Sequence, residues 1–315
     1  MVKMYNTDIN TNVTVETSEV KKGNWINMIN PTEEEIVGIC ESLDIEQDFI
    51  RYSLDSEEKA RIDIEDDGTI LFIIDIPISE KDEENVVYTT MPVGIIFVRD
   101  EYLITVSIKE NSLIRRMERL IQRRLVTYKK SQFLFQIFFE NSSTFLNMLK
   151  IINKKAEQLE VTLKKSLKNE DLLKMLNLEK ALVYFTTSLK SNEIVMEKTL
   201  RGKIIKLYEE DEDLLEDAII ENKQAIEMSK TYNDILNETM DMYASIISNN
   251  INDVMKILTS ITIILAVPTL IASIWGMNVP VPLQNNSNGF VILLAVSVIV
   301  TLGVMIWFKK KDMLS

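Results

Sequence analysis

Residues 257–275 read ILTSITIILAVPTLIASIW and residues 290–308 read FVILLAVSVIVTLGVMIWF, two runs without a charge, joined by an uncharged connection that opens Gly276-Met277-Asn278. A helix crossing about 30 Å of hydrocarbon needs about 20 apolar residues at about 1.5 Å each, and both runs meet that length. One such run can be the core helix of a soluble domain. Two in tandem, at the end of a chain in which 26% of residues are charged, are hard to hide from water and predict a transmembrane hairpin.

The flanks set the orientation, because Lys and Arg next to a span tend to stay on the cytoplasmic side. Lys256 precedes the first run, and Lys309, Lys310 and Lys311 follow the second. The connection 276–289 has no charge and is the part most easily moved outside. A multi-pass protein of the cell membrane, plasma or inner, with both termini cytoplasmic, is expected. No basic segment followed by an apolar stretch opens the chain, so no signal peptide is expected.

Composition bounds the remainder. The formal charge is -13 over 315 residues, and the stretch up to Glu110 holds 25 acidic against 9 basic residues. That balance argues against nucleic acid and for cations. Cys40 is the single cysteine, which fits a reducing compartment and a small core residue. The lack of histidine removes the commonest transition-metal ligand and general base. No nucleotide motif is present, and nothing assembles a nucleophile, a base and a pocket, so neither an organic cofactor nor an enzyme is expected.

Up to residue 110 the apolar runs are short and β-branched, at 69–78, 93–98 and 102–108, and predict strands. Pro31-Thr32-Glu33-Glu34-Glu35 predicts a helix start, with Thr32 as the cap and Glu35 reaching back to it. Mixed strands and helices make this an α/β domain. From 111 onward long helical periods take over, with Gly202 the only glycine up to residue 250. The cluster Arg115, Arg116, Arg119, Arg123 and Arg124 is either a solvated helix face or a docking surface for the acidic domain. The run Glu209-Glu210-Asp211-Glu212-Asp213, with Glu216 and Asp217, is either an acidic first turn favoured by the helix dipole or a cation site built from oxygen ligands.

No strong breaker appears between Asp213 and Pro268, so one very long helix is expected to enter the bilayer. Along it Asn252, Met255, Thr259, Thr262, Ala266, Thr269 and Ser273 recur in alternating steps of three and four. Extended backwards, the stripe reads Ser248, Ser245, Asp241, Glu238, Asp234, Thr231 and Glu227 and turns acidic. Small and hydroxyl residues also line tight helix contacts in membranes. That explains the span but not the acidic continuation, whereas a wet axis among symmetric helices explains both. Two helices cannot enclose a pore, so this reading requires an oligomer.

The segment Asn252-Asp253-Val254-Met255-Lys256-Ile257-Leu258-Thr259, then Pro268-Thr269, Ile274-Trp275-Gly276-Met277-Asn278 and Lys309-Lys310-Lys311, resembles the CorA family of magnesium transporters, as do the early Trp25-Ile26-Asn27 and Pro31-Thr32-Glu33-Glu34. The resemblance implies a homopentameric, funnel-shaped channel: a cytoplasmic α/β domain at 1–110, a helical stalk region at 111–255, a transmembrane hairpin at 256–308 and a basic cytoplasmic tail at 309–315. Its spans fall at about 256–275 and 290–308, with the loop at 276–289. It places Gly276 and Met277 in the selectivity turn and Asn278 in the outer ring. It matches Asn252, Met255, Leu258, Thr262, Ala266 and Thr269, with Thr259 on the same stripe, to pore or gate positions.

It also matches Asp217 to an interface acid that binds regulatory divalent ions. Asp82 is the suggested partner, with Glu80, Glu83 and Glu84 nearby, while Glu227, Asp234, Glu238 and Asp241 form the acidic funnel. Mg2+ is then both cargo and regulator, and the partners are the lipid bilayer, divalent cations and further copies of the chain. Co2+ and Ni2+ are candidate further cargo. Two departures stand out: Ala266 is small where many relatives are bulkier, and the outer loop has no acid. The alternatives are a transporter of Zn2+ or another divalent metal, and a membrane-anchored divalent-cation sensor without a pore.

Overall fold

The computed structural model describes residues 1–82, 85–166, 168–202, 204–205, 208–284, 286–311 and 313, with the side chains of 82, 85, 209 and 210 left aside. It divides into two compact units, Met1–Asn237 and Glu238–Ser315. Residues 1–110 therefore share one unit with most of the helical region that follows them.

Seven strands build one sheet in the first unit: β1 (Val2–Thr7), β2 (Thr14–Thr17), β3 (Trp25–Ile29), β4 (Arg61–Ile64), β5 (Ile70–Asp82), β6 (Asn85–Val98) and β7 (Tyr102–Ser107). Their order is β2-β1-β3-β7-β6-β5-β4. Only β3 and β7 run parallel, with Trp25 opposite Leu103; the other neighbours are antiparallel. The runs at 69–78, 93–98 and 102–108 became β5, β6 and β7, while β1, β2 and β4 are too short and polar to announce themselves.

Alternation along the strands gives the sheet two apolar faces. Ile26, Met28, Leu71, Ile73, Ile96 and Ile104 face the helices α1 (Glu33–Leu43) and α2 (Gln47–Tyr52) and join the buried Cys40. Trp25, Phe72, Ile74, Val93 and Leu103 face the opposite way, toward α3 (Ser112–Ile121), α4 (Lys130–Lys165), α5 (Asn169–Gly202) and the first part of α6 (Glu209–Trp275). The unit is thus three layers, with the sheet in the middle. Trp25 anchors the second core: its ring lies 5.1 Å from Tyr5 and 5.0 Å from Phe133, contacts worth about 0.5–1.5 kcal/mol each beyond their burial.

Local signals act as expected. Thr32 caps α1 by accepting the Glu35 N–H, and the Glu35 carboxylate accepts the Thr32 N–H at 2.9 Å, which is the full capping box. Polar groups tie α4 and α5 to the sheet. Beyond Arg61, opposite Ile73, β4 no longer covers β5. There Asn192 of α5 accepts the Asp75 N–H at 2.9 Å and donates to the Asp75 carbonyl at 2.7 Å, while Asn141 of α4 donates to the same carbonyl at 2.9 Å. Arg116 of α3 pairs with the buried Glu140 at 2.8 Å, so one arginine of the basic cluster holds α3 on α4.

In the second unit α6 continues through Pro268 to Trp275 and is followed by α7 (Gly289–Lys310). Each has an 18-residue stretch long and apolar enough to cross a membrane, with only 6% of it buried by the rest of the chain. A soluble core helix would be mostly covered; these two present their apolar surface outward.

Candidate functional site

The distribution of exposure around α6 defines the site. From Ser248 to Trp275 its covered or half-covered residues are Ser260, Ile264, Val267, Pro268, Ile271 and Trp275. On α7 the covered or half-covered residues are Gly289, Leu293, Ser297, Thr301, Val304 and Phe308, again one helical face. Asn252, Met255, Thr259, Thr262, Ala266 and Thr269 are all exposed, and at about 100° per residue they centre roughly 160° away from the covered face of α6. Leu258 is exposed as well. The chain itself leaves these positions uncovered, as it does Ile257, Ile261, Leu265 and Leu270 on the flanking faces.

Its hydroxyls have a defined polarity. Thr262 donates to the Leu258 carbonyl at 2.8 Å and Thr269 to the Leu265 carbonyl at 2.9 Å. With the proton committed to the helix, each oxygen keeps its lone pairs for what lies outside, which suits a cation's water shell and not an anion. A cavity of about 680 Å³ brings Asn252, Met255 and Thr259 together with Asn249, Asp253 and Lys256, and Lys256 pairs with Asp253 at 3.0 Å.

The turn after α6 is set by its own backbone. Gly276 donates to the Ala272 carbonyl at 2.9 Å, and a Cβ there would stand 3.3 Å from that same oxygen, closer than most side chains settle. Trp275 Nε1 donates to the Pro282 carbonyl at 3.1 Å, which fixes the return of the loop. Met277 and Asn278 are exposed, and the Asn278 amide makes no hydrogen bond within the described residues.

The acidic positions are less gathered. Glu227, Asp234, Glu238 and Asp241 are all exposed on α6; Glu227 pairs with Lys230 at 2.6 Å, and the other three have no cationic partner among the described residues. Asp217 is exposed too. Asp82 ends β5 with its backbone paired to Asn85, its side chain is not described, and Glu83 and Glu84 lie outside the described residues. Glu80 pairs with Lys109. In the run at the start of α6, Asp211 is buried and accepts the Ser131 hydroxyl at 2.5 Å, so that carboxylate fastens α6 to α4. Among the described residues no group of three carboxylates or other ligands could hold a metal ion.

One residue was not singled out by its sequence. Ser260 is fully buried, and its hydroxyl lies 2.8 Å from the Lys256 carbonyl and 3.0 Å from the Met313 carbonyl, tying the tail after α7 to α6. A serine among threonines carries no signal of that role; only its absence from the three-and-four stripe hints that it faces elsewhere.

A family model described as CorA-like Mg2+ transporter protein matches residues 20–310. The cobalt/magnesium transport protein CorA of Methanocaldococcus jannaschii is 31% identical over 291 residues, covering 91% of this chain and 90% of that one. The complete structure of the CorA magnesium transporter from the same organism superposes with a TM-score of 0.85 at 29% identity, covering 98% of this chain and 97% of that one. The cobalt/magnesium transport protein CorA of Thermotoga maritima is 34% identical over 148 residues, 43% of this chain and 42% of that one. The full-length CmaX protein shares the fold at 11% identity, with a TM-score of 0.71 over 96% of this chain and 97% of that one.

Proposed function

The chain belongs to the CorA-like Mg2+ transporter family, and from that premise we propose that it is a homopentameric channel of the cell membrane that admits Mg2+, with Co2+ as further cargo, down the electrochemical gradient. The observation that carries the reading is the open stripe of Asn252, Thr259, Thr262 and Thr269 on α6, roughly opposite the face that the chain itself covers. Copies of α6 set around an axis bury their stripes toward it, and the lone pairs of Thr262 and Thr269 then line a wet path.

Mg2+ gives up water reluctantly, so a path of amides, hydroxyls and carbonyls that holds the hydrated ion lightly serves better than a ring of charge that retains it. In this reading the Asn278 amides form the outer ring, on a turn shaped by Gly276 and Met277. Met255 and Leu258 supply the apolar constriction, and Ala266 leaves the middle of the path wide. Glu227, Asp234, Glu238 and Asp241 raise the local cation concentration at the cytoplasmic end. The membrane potential drives entry, since a divalent ion gains roughly 4.6 kcal/mol per 100 mV. Asp217 and Asp82 meet across subunits when cytoplasmic Mg2+ bridges them, which holds the pore closed.

Purified protein in liposomes tests this with entrapped indicators for Mg2+, Co2+, Ni2+ and Zn2+. Potential-dependent Mg2+ entry is expected; entry of Zn2+ without Mg2+, or no flux of any ion, would refute the reading.

A further inference from the structure

The basic cluster at the end of α3 is not absorbed by an ion pathway. Of its five arginines, Arg115 pairs with Glu110 at 3.7 Å and Arg116 with Glu140 at 2.8 Å. Arg123 and Arg124 have no carboxylate partner among the described residues, although this unit has an excess of acids. Both line a cavity of about 560 Å³ between the β1–β2 turn and the start of α4.

Lys129 lines the same cavity, as do Gln122, Gln132 and Asn12, and no Asp or Glu is among the lining residues. Tyr128 donates its hydroxyl to Asn12 Oδ1 at 2.9 Å, which occupies that oxygen and leaves the Asn12 amide NH2 as a donor. The wall is rich in donors and carries three positive charges. Cations held together without counter-charge repel, so a site of this composition is at its most stable with an anion in it.

We propose that this cavity binds a small polyphosphate, free or carried on a nucleoside. Guanidinium forks match phosphate oxygens two at a time, and Lys129 adds a point charge. The volume lies within the range of about 300–1,000 Å³ typical of small-molecule sites, ample for two or three linked phosphates. Such a ligand would sit on the sheet-bearing unit.

The test is calorimetric titration of the full-length, detergent-solubilised protein with sodium tripolyphosphate and with ATP. Both titrations are run without divalent ions and repeated at saturating Mg2+. Saturable binding is expected, weakened at least tenfold in the Arg123→Gln/Arg124→Gln double variant and at least threefold in Lys129→Gln. Arg115→Gln, outside the cavity, should bind within twofold of the parent. Equal affinity for the two probes assigns the site to free polyphosphate, and tighter ATP binding assigns it to a nucleotide. Absence of saturable binding, or equal weakening in Arg115→Gln, overturns the proposal. Dissociation of the oligomer in the double variant also overturns it, because the arginines would then serve a subunit interface.

Discussion

Thr262 gives its hydroxyl proton to the carbonyl oxygen of Leu258, 2.8 Å away on the preceding turn of α6, and so faces outward with oxygen lone pairs only. Thr269 repeats the arrangement with Leu265 at 2.9 Å. Valine has nearly the same shape without the oxygen. Thr262→Val and Thr269→Val should each lower Mg2+ flux roughly fivefold, the equivalent of about 1 kcal/mol for one hydrogen bond to the ion's water shell, with assembly unchanged on gel filtration. Unchanged flux in both variants would place the hydroxyls in a helix contact instead.

Asn278 is exposed and unbonded within the described residues, so its amide contributes little to packing. Asn278→Ala should assemble and insert normally yet lose most of its Mg2+ uptake in liposomes. Normal uptake by a correctly assembled variant would remove the outer ring from the mechanism.

Asp217, exposed on α6, is proposed to share a Mg2+ ion with a neighbouring subunit. Carboxylates drawn together without metal repel, so losing the ion loosens the assembly. Protease protection of the Met1–Asn237 unit should rise with millimolar Mg2+ and rise less in Asp217→Ala. Equal protection of the parent with and without Mg2+ would end the regulatory role.

Burial pushes the Asp75 carboxyl above the usual carboxylate range, and the Ser188 hydroxyl pulls it part of the way back. A carboxyl raised in the folded state binds its proton more tightly there than in the unfolded chain. Its contribution is therefore neutral below the unfolded value of about 3.9 and destabilising once pH has risen through the folded value. Asp75→Asn should gain in thermal midpoint over the parent as pH rises above that range, with the gain fading toward acid. A gap that stays constant across pH would show that the substitution acts through packing and not through titration of the carboxyl.

Much of this was legible in the chain because the strongest signals are local. The capping box at Thr32 and Glu35, the strands of the long β-branched runs, and two uncharged runs of membrane length each follow from neighbouring residues. The single long helix α6 was legible because no strong breaker precedes Pro268, and the helix continues through it. Long-range choices were not. Nothing near Asn192 says that its amide will complete the edge of β5 at Asp75, and nothing near Asp211 says that its carboxylate will accept from Ser131. The acidic run at 209–213, with Glu216 and Asp217, admits a dipole-favoured first turn or a cation site in the sequence, and neither reading separates Asp211 from its neighbours. Burial of Asp211 gives that carboxylate a packing role, while Glu212, Asp213 and Asp217 stay exposed.

The most direct measurement is the pattern of cysteine reactivity along α6 in a Cys40→Ala background. Thiols react as thiolates, which form in water and are disfavoured in lipid. Cysteines at Asn252, Thr259 and Thr262 should react with small water-soluble thiol reagents, while cysteines at Ile261 and Leu265 should not. The reactive positions should recur every three to four residues. Labelling that is absent along the stripe at both low and high Mg2+, or uniform on every face of the helix, would contradict a water-filled path and leave the hairpin as an anchor.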